Sequence, residues 1–219
     1  NIIGNRYDAR SEVSVMYDLQ NRPEYHRRVL SMAWKYKWSN EGHHDRYQID
    51  LLDINYLFMP WISDTFRKDY LEDDTNRNAI LRYNYENLLI MKWGVGYNYN
   101  NGRYAIKANV ETSGNLLNLC SGLLNFEKNE QGQYQVFGIA YAQYAKADFD
   151  FTNNISFDYN NQLIFHVGFG IAYPYGNSTI LPFEKRYFSG GANSVRGWSV
   201  RELGPGKFKG TDGNIDFIN

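Results

Sequence analysis

Residues Gln162-Leu-Ile-Phe-His-Val-Gly-Phe-Gly-Ile-Ala-Tyr173 alternate without a break. One face carries Leu163, Phe165, Val167, Phe169, Ile171 and Tyr173, and the other Gln162, Ile164, His166, Gly168, Gly170 and Ala172. A strand sends successive side chains to opposite faces, so a period of two is its signature, where a helix would show 3.6. The pattern spreads outward from this stretch. Upstream, Phe137, Ile139, Tyr141, Phe149, Phe151, Ile155, Phe157 and Tyr159 oppose Lys146, Asp148, Asp150, Thr152, Asn154, Ser156 and Asp158, and Asn160-Asn161 closes a long hairpin.

Towards the N-terminus the same alternation predicts strands around Tyr104–Thr112, Leu89–Tyr99, Tyr47–Phe58, Leu30–Trp38 and, shorter, Val13–Leu19. Asn100-Asn101-Gly102 turns the chain between two of them. The phase slips at Leu51-Leu52, which predicts a β-bulge. About seven strands result, with longer connections near 60–87 and 114–135 and a short helix expected within Ile62–Tyr70. Short turns at one end and long loops at the other are the arrangement of outer-membrane barrels.

Composition agrees with interleaving rather than with apolar runs. Aromatic residues make up 17% of the 219 residues, yet mean hydropathy is −0.59. No window approaches the roughly 20 apolar residues of a membrane helix, and the start, Asn1-Ile2-Ile3-Gly4-Asn5-Arg6, lacks the layout of a signal peptide. The chain is therefore expected to begin inside a longer precursor. A net charge of −1 supplies no basic footprint, so nucleic acid is not an expected partner. The single Cys120 excludes an intrachain disulfide and reads as a small buried hydrophobe.

Alternation alone cannot orient a sheet. A soluble barrel turns its apolar face inward, whereas a membrane barrel turns it out to lipid and lines its interior with polar groups. Strands longer than the globular mode of about five or six residues, aromatics near strand ends and charge repeated along one face favour lipid. The expected class is all-β: an antiparallel transmembrane β-barrel, with residues 1–219 as one partial barrel domain. An odd strand count would leave an open edge in lipid, so the chain is expected to be an internal piece of a larger barrel.

After the last strand comes Leu181-Pro-Phe-Glu-Lys-Arg-Tyr-Phe-Ser-Gly-Gly-Ala-Asn-Ser-Val-Arg-Gly-Trp-Ser-Val-Arg-Glu-Leu-Gly-Pro-Gly206, neither strand nor helix by pattern. Its core, Gly190-Gly191-Ala192-Asn193-Ser194-Val195-Arg196-Gly197-Trp198, resembles the signature loop of the outer-membrane assembly and translocation family of BamA, TamA and Sam-type barrels, the surface-antigen type of C-terminal barrel domain. Phe183–Phe188 resembles that family's lead-in, and Arg201 with Leu203–Gly206 its exit; Trp198 replaces the more usual Phe or Tyr. The resemblance implies that residues 174–219 form a long loop that folds back into the barrel. Gly190, Gly191 and Gly197 would turn the backbone with positive φ, Val195 would sit at the tip, Trp198 would wedge that tip against inner-wall side chains, and Arg196 would pair with inner-wall carboxylates. The candidates are Glu111, Asp148, Asp150 and Asp158, and Gly168, Gly170 and Ala172 would leave room for the insert.

The resemblance also implies a function: folding and inserting β-barrel proteins into the bacterial outer membrane without ATP or cofactor. Outer-membrane lipid, unfolded barrel clients, periplasmic chaperones and accessory lipoproteins would be the partners. A polypeptide secretion pore of the same superfamily is the alternative, and a soluble ligand-binding barrel a third. Rival chemistry is thin. No Ser, His and acidic set has a nucleophile-elbow context, so no catalytic residue is expected. His43-His44-Asp45 lacks spaced partner ligands and reads as a solvated turn, so no metal is expected there. Glu72-Asp73-Asp74 lacks the spaced oxygens of a calcium loop.

Overall fold

The computed structural model describes residues 7–71, 85–121, 126–129, 132–192 and 194–198. Seven long strands form one antiparallel meander: β1 (Tyr7–Asn21), β2 (Tyr25–Ser39), β3 (Asp45–Ile62), β4 (Leu88–Asn100), β5 (Tyr104–Ser113), β8 (Tyr144–Ser156) and β9 (Gln162–Pro174). A separate two-stranded ribbon, β6 (Gln135–Val136) with β7 (Ile139–Ala140), lies in the connection from β5 to β8. The seven strands are the expected number. Each is at least as long as the roughly 9–11 residues that a tilted strand needs to cross a bilayer. The first strand is longer than its alternation indicated. It gains Tyr7–Glu12 by pairing with the other half of β2, although residues 8–11 are polar or small.

The bulge lies where the phase slips. Trp34 pairs with Leu52 but Lys35 pairs with Asp50, so Leu51 is the extra residue. The insertion keeps Asp50 and Asp53 on one face despite their odd spacing. Register then defines two continuous faces. Val13, Val15, Met32, Trp34, Ile54, Trp93, Val95, Val110, Phe149, Phe169 and Val167 share one, and Glu12, Lys35, Asp50, Lys92, Glu111, Asp148 and Gly170 share the other. Near the short-turn end the apolar face carries a ladder of rings. Tyr36 and Trp38 lie 5.5 Å apart, Trp38 stacks on Tyr47 at 5.2 Å, and Tyr47 meets Tyr97 at 5.3 Å. Such a belt matches the aromatic girdles of membrane barrels.

Turns 40–44, 101–103 and 157–161 share one end, and the connections 63–87 and 114–143 share the other with the short turn 22–24. Local chemistry sets the short ones. Asn101 accepts from the backbone of Arg103 and Tyr104 while Gly102 adopts φ +85°. Asp158 accepts from the backbone N–H groups of Asn160 and Asn161. The short helix falls at Asp64–Phe66 (α1), continued by a π-helical turn over Arg67–Leu71. Glu72-Asp73-Asp74 lies outside the described residues.

Another strand boundary departs from the alternation. Phe137, Ile139 and Tyr141 belong to the second long connection rather than to β8, because Phe137 and Gly138 both take positive φ and reverse the chain. β5 ends early at Ser113, and the vacated place beside β4 is taken by residues 141–142, with Ala142 N–H donating to Leu89 O at 2.8 Å. Ser113 Oγ bonds both flanking segments, at Met91 O and Ala142 O. Gly114 follows at φ +78°, where a Cβ would stand 2.6 Å from Ala142 O. Gly114→Ala is therefore expected to lower the unfolding free energy by at least about 2 kcal/mol, adding a clash to the left-handed cost of roughly 1–2 kcal/mol. Gly102→Ala, at φ +85° in open space, should show the left-handed cost alone. Urea midpoints of the two refolded variants in detergent check the difference.

Candidate functional site

The site is built from the segment after β9. Pro182, extended at φ −52° and ψ 139°, opens one 3-10 turn over Phe183–Lys185, and Arg186 returns to extended backbone. A single turn followed by extension splays neighbouring side chains towards different strands. Glu184 Oε1 lies 3.7 Å from Arg27 Nη2 on β2. Lys185 Nζ lies 3.1 Å from Glu111 Oε1 on β5. Tyr187 Oη donates to Asp148 Oδ1 on β8 and is 3.3 Å from Ala147 O. Arg186 Nε ties the segment to itself through Leu181 O at 2.9 Å. The lead-in thus crosses the polar face and touches β2 together with the neighbouring pair β5 and β8.

Glu111 is the hub of that face. It accepts from Lys92 Nζ at 3.1 Å, Lys185 Nζ at 3.1 Å and Tyr144 Oη at 3.0 Å, while Lys92 also reaches Asp53 Oδ2 at 3.4 Å. Two cations and two anions alternate, all largely withdrawn from water. Burial penalises each charge alone, so the set holds together only as a set. Lys146 supports it from below, 4.3 Å from the centre of the Tyr187 ring and 3.8 Å from Asp148 Oδ2. Gly170 supplies the hollow: a Cβ there would stand 2.5 Å from Tyr187 Cζ. The room expected at the small wall positions is therefore filled, at Gly170, by a lead-in tyrosine. Above the charges, Leu181 packs on Ile90, Ala142 and Tyr144.

The tip closes on itself. Gly190 and Gly191 adopt φ +98° and +92°, conformations that favour glycine. Gly191 N–H donates to Trp198 O at 2.8 Å, and Trp198 N–H to Val195 O at 3.1 Å. Gly197 differs from expectation: its φ is not in the left-handed region, and a Cβ would meet nothing within 4 Å. Arg196 also sits elsewhere than expected. Its Nε donates to Ala192 O at 3.2 Å within the tip, and the guanidinium is exposed rather than paired with the wall. Val195 is exposed and Trp198 half-buried. Arg201 lies outside the described residues.

Of the four carboxylates, the structure brings Glu111 and Asp148 to the lead-in. Asp150 shares their face but is engaged by His166 Nε2 at 3.1 Å. Asp158 is no wall residue: it is an exposed turn cap, its pKa lowered by hydrogen bonds from the Asn161 side chain and the Asn160 backbone. Sequence reasoning missed Glu184, Lys185 and Tyr187 as the groups that dock, along with Arg27, Lys92 and Tyr144. Lys92 diagonal to Glu111 on one face of a strand pair was a visible signal, whereas the turn that aims Lys185 was not. His43, offered above as half of a solvated turn, contacts Asp8 and Ser39. Among the described residues no cluster of His, Cys, Asp or Glu could hold a metal ion.

Residues 67–215 match the Omp85 superfamily domain, a span that takes in β4 to β9, the lead-in and the tip. The chain belongs to the Omp85 superfamily. No curated protein and no solved structure gives a match. Omp85 superfamily members are outer-membrane proteins, and in that setting the apolar face of the meander is the lipid side and the charged face the lumen side. The signature-loop resemblance holds at this level, for a superfamily that includes both assembly proteins and secretion pores.

A double-mutant cycle on Lys185→Met and Glu111→Gln tests the docking. Groups in one ion-pair network couple by about 0.5–3 kcal/mol, so the two losses should be non-additive by that amount in urea unfolding. Arg196→Ala combined with Glu111→Gln should be additive within about 0.5 kcal/mol.

Proposed function

We propose that this Omp85 chain is the wall and signature loop of an outer-membrane assembly factor, which folds β-barrel clients and inserts them into the bacterial outer membrane. The observation that carries this reading is the lead-in anchored across the lumen face by Glu184, Lys185 and Tyr187. A polypeptide passing through the lumen would meet that segment and have to break its contacts, whereas insertion at the lipid side leaves them intact. The work needs no cofactor or chemical step. Burying a client's apolar face in lipid and pairing its strand edges supply the driving force. Residues 174–219 act as the re-entrant loop, outer-membrane lipid and unfolded barrel proteins are the partners, and periplasmic chaperones and accessory lipoproteins deliver the clients.

A secretion pore of the same superfamily makes the opposite demand, because its loop must leave the lumen. Cysteines replacing Lys185 and Glu111 in a Cys120→Ser background, joined by a short bismaleimide, hold the lead-in on the wall. Depleting the protein should lower the levels of unrelated outer-membrane barrels, and the locked protein should restore them. Intact barrels with loss of one exported protein would select the secretion pore instead.

A further inference from the structure

The connection between β5 and β8 is folded onto the wrong side for a simple surface loop. Leu89, Ile54 and Tyr56 belong by register to the apolar, lipid-side face. They are covered by Leu117 of helix α2 (Asn115–Ser121), by Phe126 and Tyr134, and by Val136, Ile139 and Tyr141 of the β6–β7 segment. A piece of protein thus lies against the outside of the wall at its long-loop end, the end that faces away from the periplasm in such barrels.

The outward surface of that piece is itself apolar. Leu116 and Leu119, one helical turn apart, are 51% and 72% exposed on the side of α2 away from Leu117. Phe137 at the ribbon tip is 89% exposed and adopts φ +53°. Both properties are unfavourable in water. A two-residue turn with positive φ suits Asn or Gly, and an aromatic ring there gains nothing while it stays hydrated. Backbone strain at an exposed apolar tip points to a role outside the fold's own packing. Immediately along the same strands, Trp93, Val95 and Val110 are exposed on the lipid-side face, so the patch is continuous with the surface that meets the acyl chains. Lys128, its ammonium 4.5 Å from the centre of the Tyr134 ring, adds a cation at that level. Aromatic tips, apolar helix faces and flanking lysines are what an interfacial membrane segment combines.

We propose that α2 and the β6–β7 ribbon form an interfacial collar that inserts Phe137, Leu116 and Leu119 among the acyl chains of the outer leaflet, widening the barrel's lipid contact beside β3 to β5. The collar rests on the membrane reading above. Its occupant is lipid rather than a partner protein, because the patch continues the lipid-side wall and carries a cation suited to phosphate headgroups.

Spin labels on single cysteines at Phe137→Cys, Leu119→Cys and Val110→Cys, each in a Cys120→Ser background of the intact protein reconstituted in phosphatidylcholine vesicles, test it. Oxygen partitions into acyl chains, while a nickel chelate stays in water. Labels at 137 and 119 should relax faster with oxygen than with the chelate, as the wall label at 110 does. Faster relaxation by the chelate at 137 and 119, with 110 still lipid-like, overturns the collar alone. Protection from both agents at 137 and 119 overturns it in favour of a protein contact. A water-like label at 110 overturns the membrane reading and the collar with it.

Discussion

A charged face pressed against a charged loop is stable only if the charges meet, and in this chain they meet at Glu111. Lys92, Lys185 and Tyr144 converge on one carboxylate, with Asp53 balancing the second lysine contact. Removing Lys92 takes the ion pair from Asp53 and removing Glu111 takes it from Lys185, and a largely buried charge that loses its pair costs more than an exposed pair could return. The route of the lead-in follows from this. Lys185 has to reach β5, Tyr187 then falls on Asp148 over the Gly170 hollow, and Glu184 is left facing Arg27.

The strands meet a different constraint. In lipid every backbone N–H and C=O must be paired within the protein, and a meander of long antiparallel strands does this along its whole interior. The Leu51 bulge and the early end of β5 are two places where the ladder changes, besides the register shifts at Tyr7/Arg10 and His26/Arg28, and both are repaired locally. The bulge restores the facing of Asp50, and residues 141–142 take up the bonds that β5 leaves free. Ser113 and Gly114 mark that junction, one by bridging two segments and the other by having no side chain to obstruct them.

The meander was legible in the residues because its determinants are local. Period-two alternation, Asn and Gly turns and the phase slip at Leu51-Leu52 each depend on neighbours within a few positions. The glycine pair was legible for the same reason, since positive φ at Gly190 and Gly191 is a backbone requirement. The docking partners were harder to see, because a pair such as Lys185 and Glu111 is defined by a turn whose aim no pattern encodes. Arg196 drew attention through the motif, yet its guanidinium closes the tip while the neighbouring lead-in makes the wall contacts. The fate of Phe137, Ile139 and Tyr141 shows the converse. Their alternation is real, but positive φ at Phe137 and Gly138 carries them out of the strand, leaving Phe137 at an exposed tip and packing Ile139 and Tyr141 onto the lipid-side face.

Zero-length carbodiimide coupling of the intact protein in native membranes, read by peptide mass spectrometry, tests the docked lead-in most directly, because an amide forms only where an ammonium touches a carboxylate. Lys37 and Glu12, 2.7 Å apart on β2 and β1, provide the internal standard. A docked lead-in yields a Lys185–Glu111 amide beside the Lys37–Glu12 amide. Recovery of the Lys37–Glu12 amide with Lys185 coupled to carboxylates elsewhere, and none of it to Glu111, would contradict it.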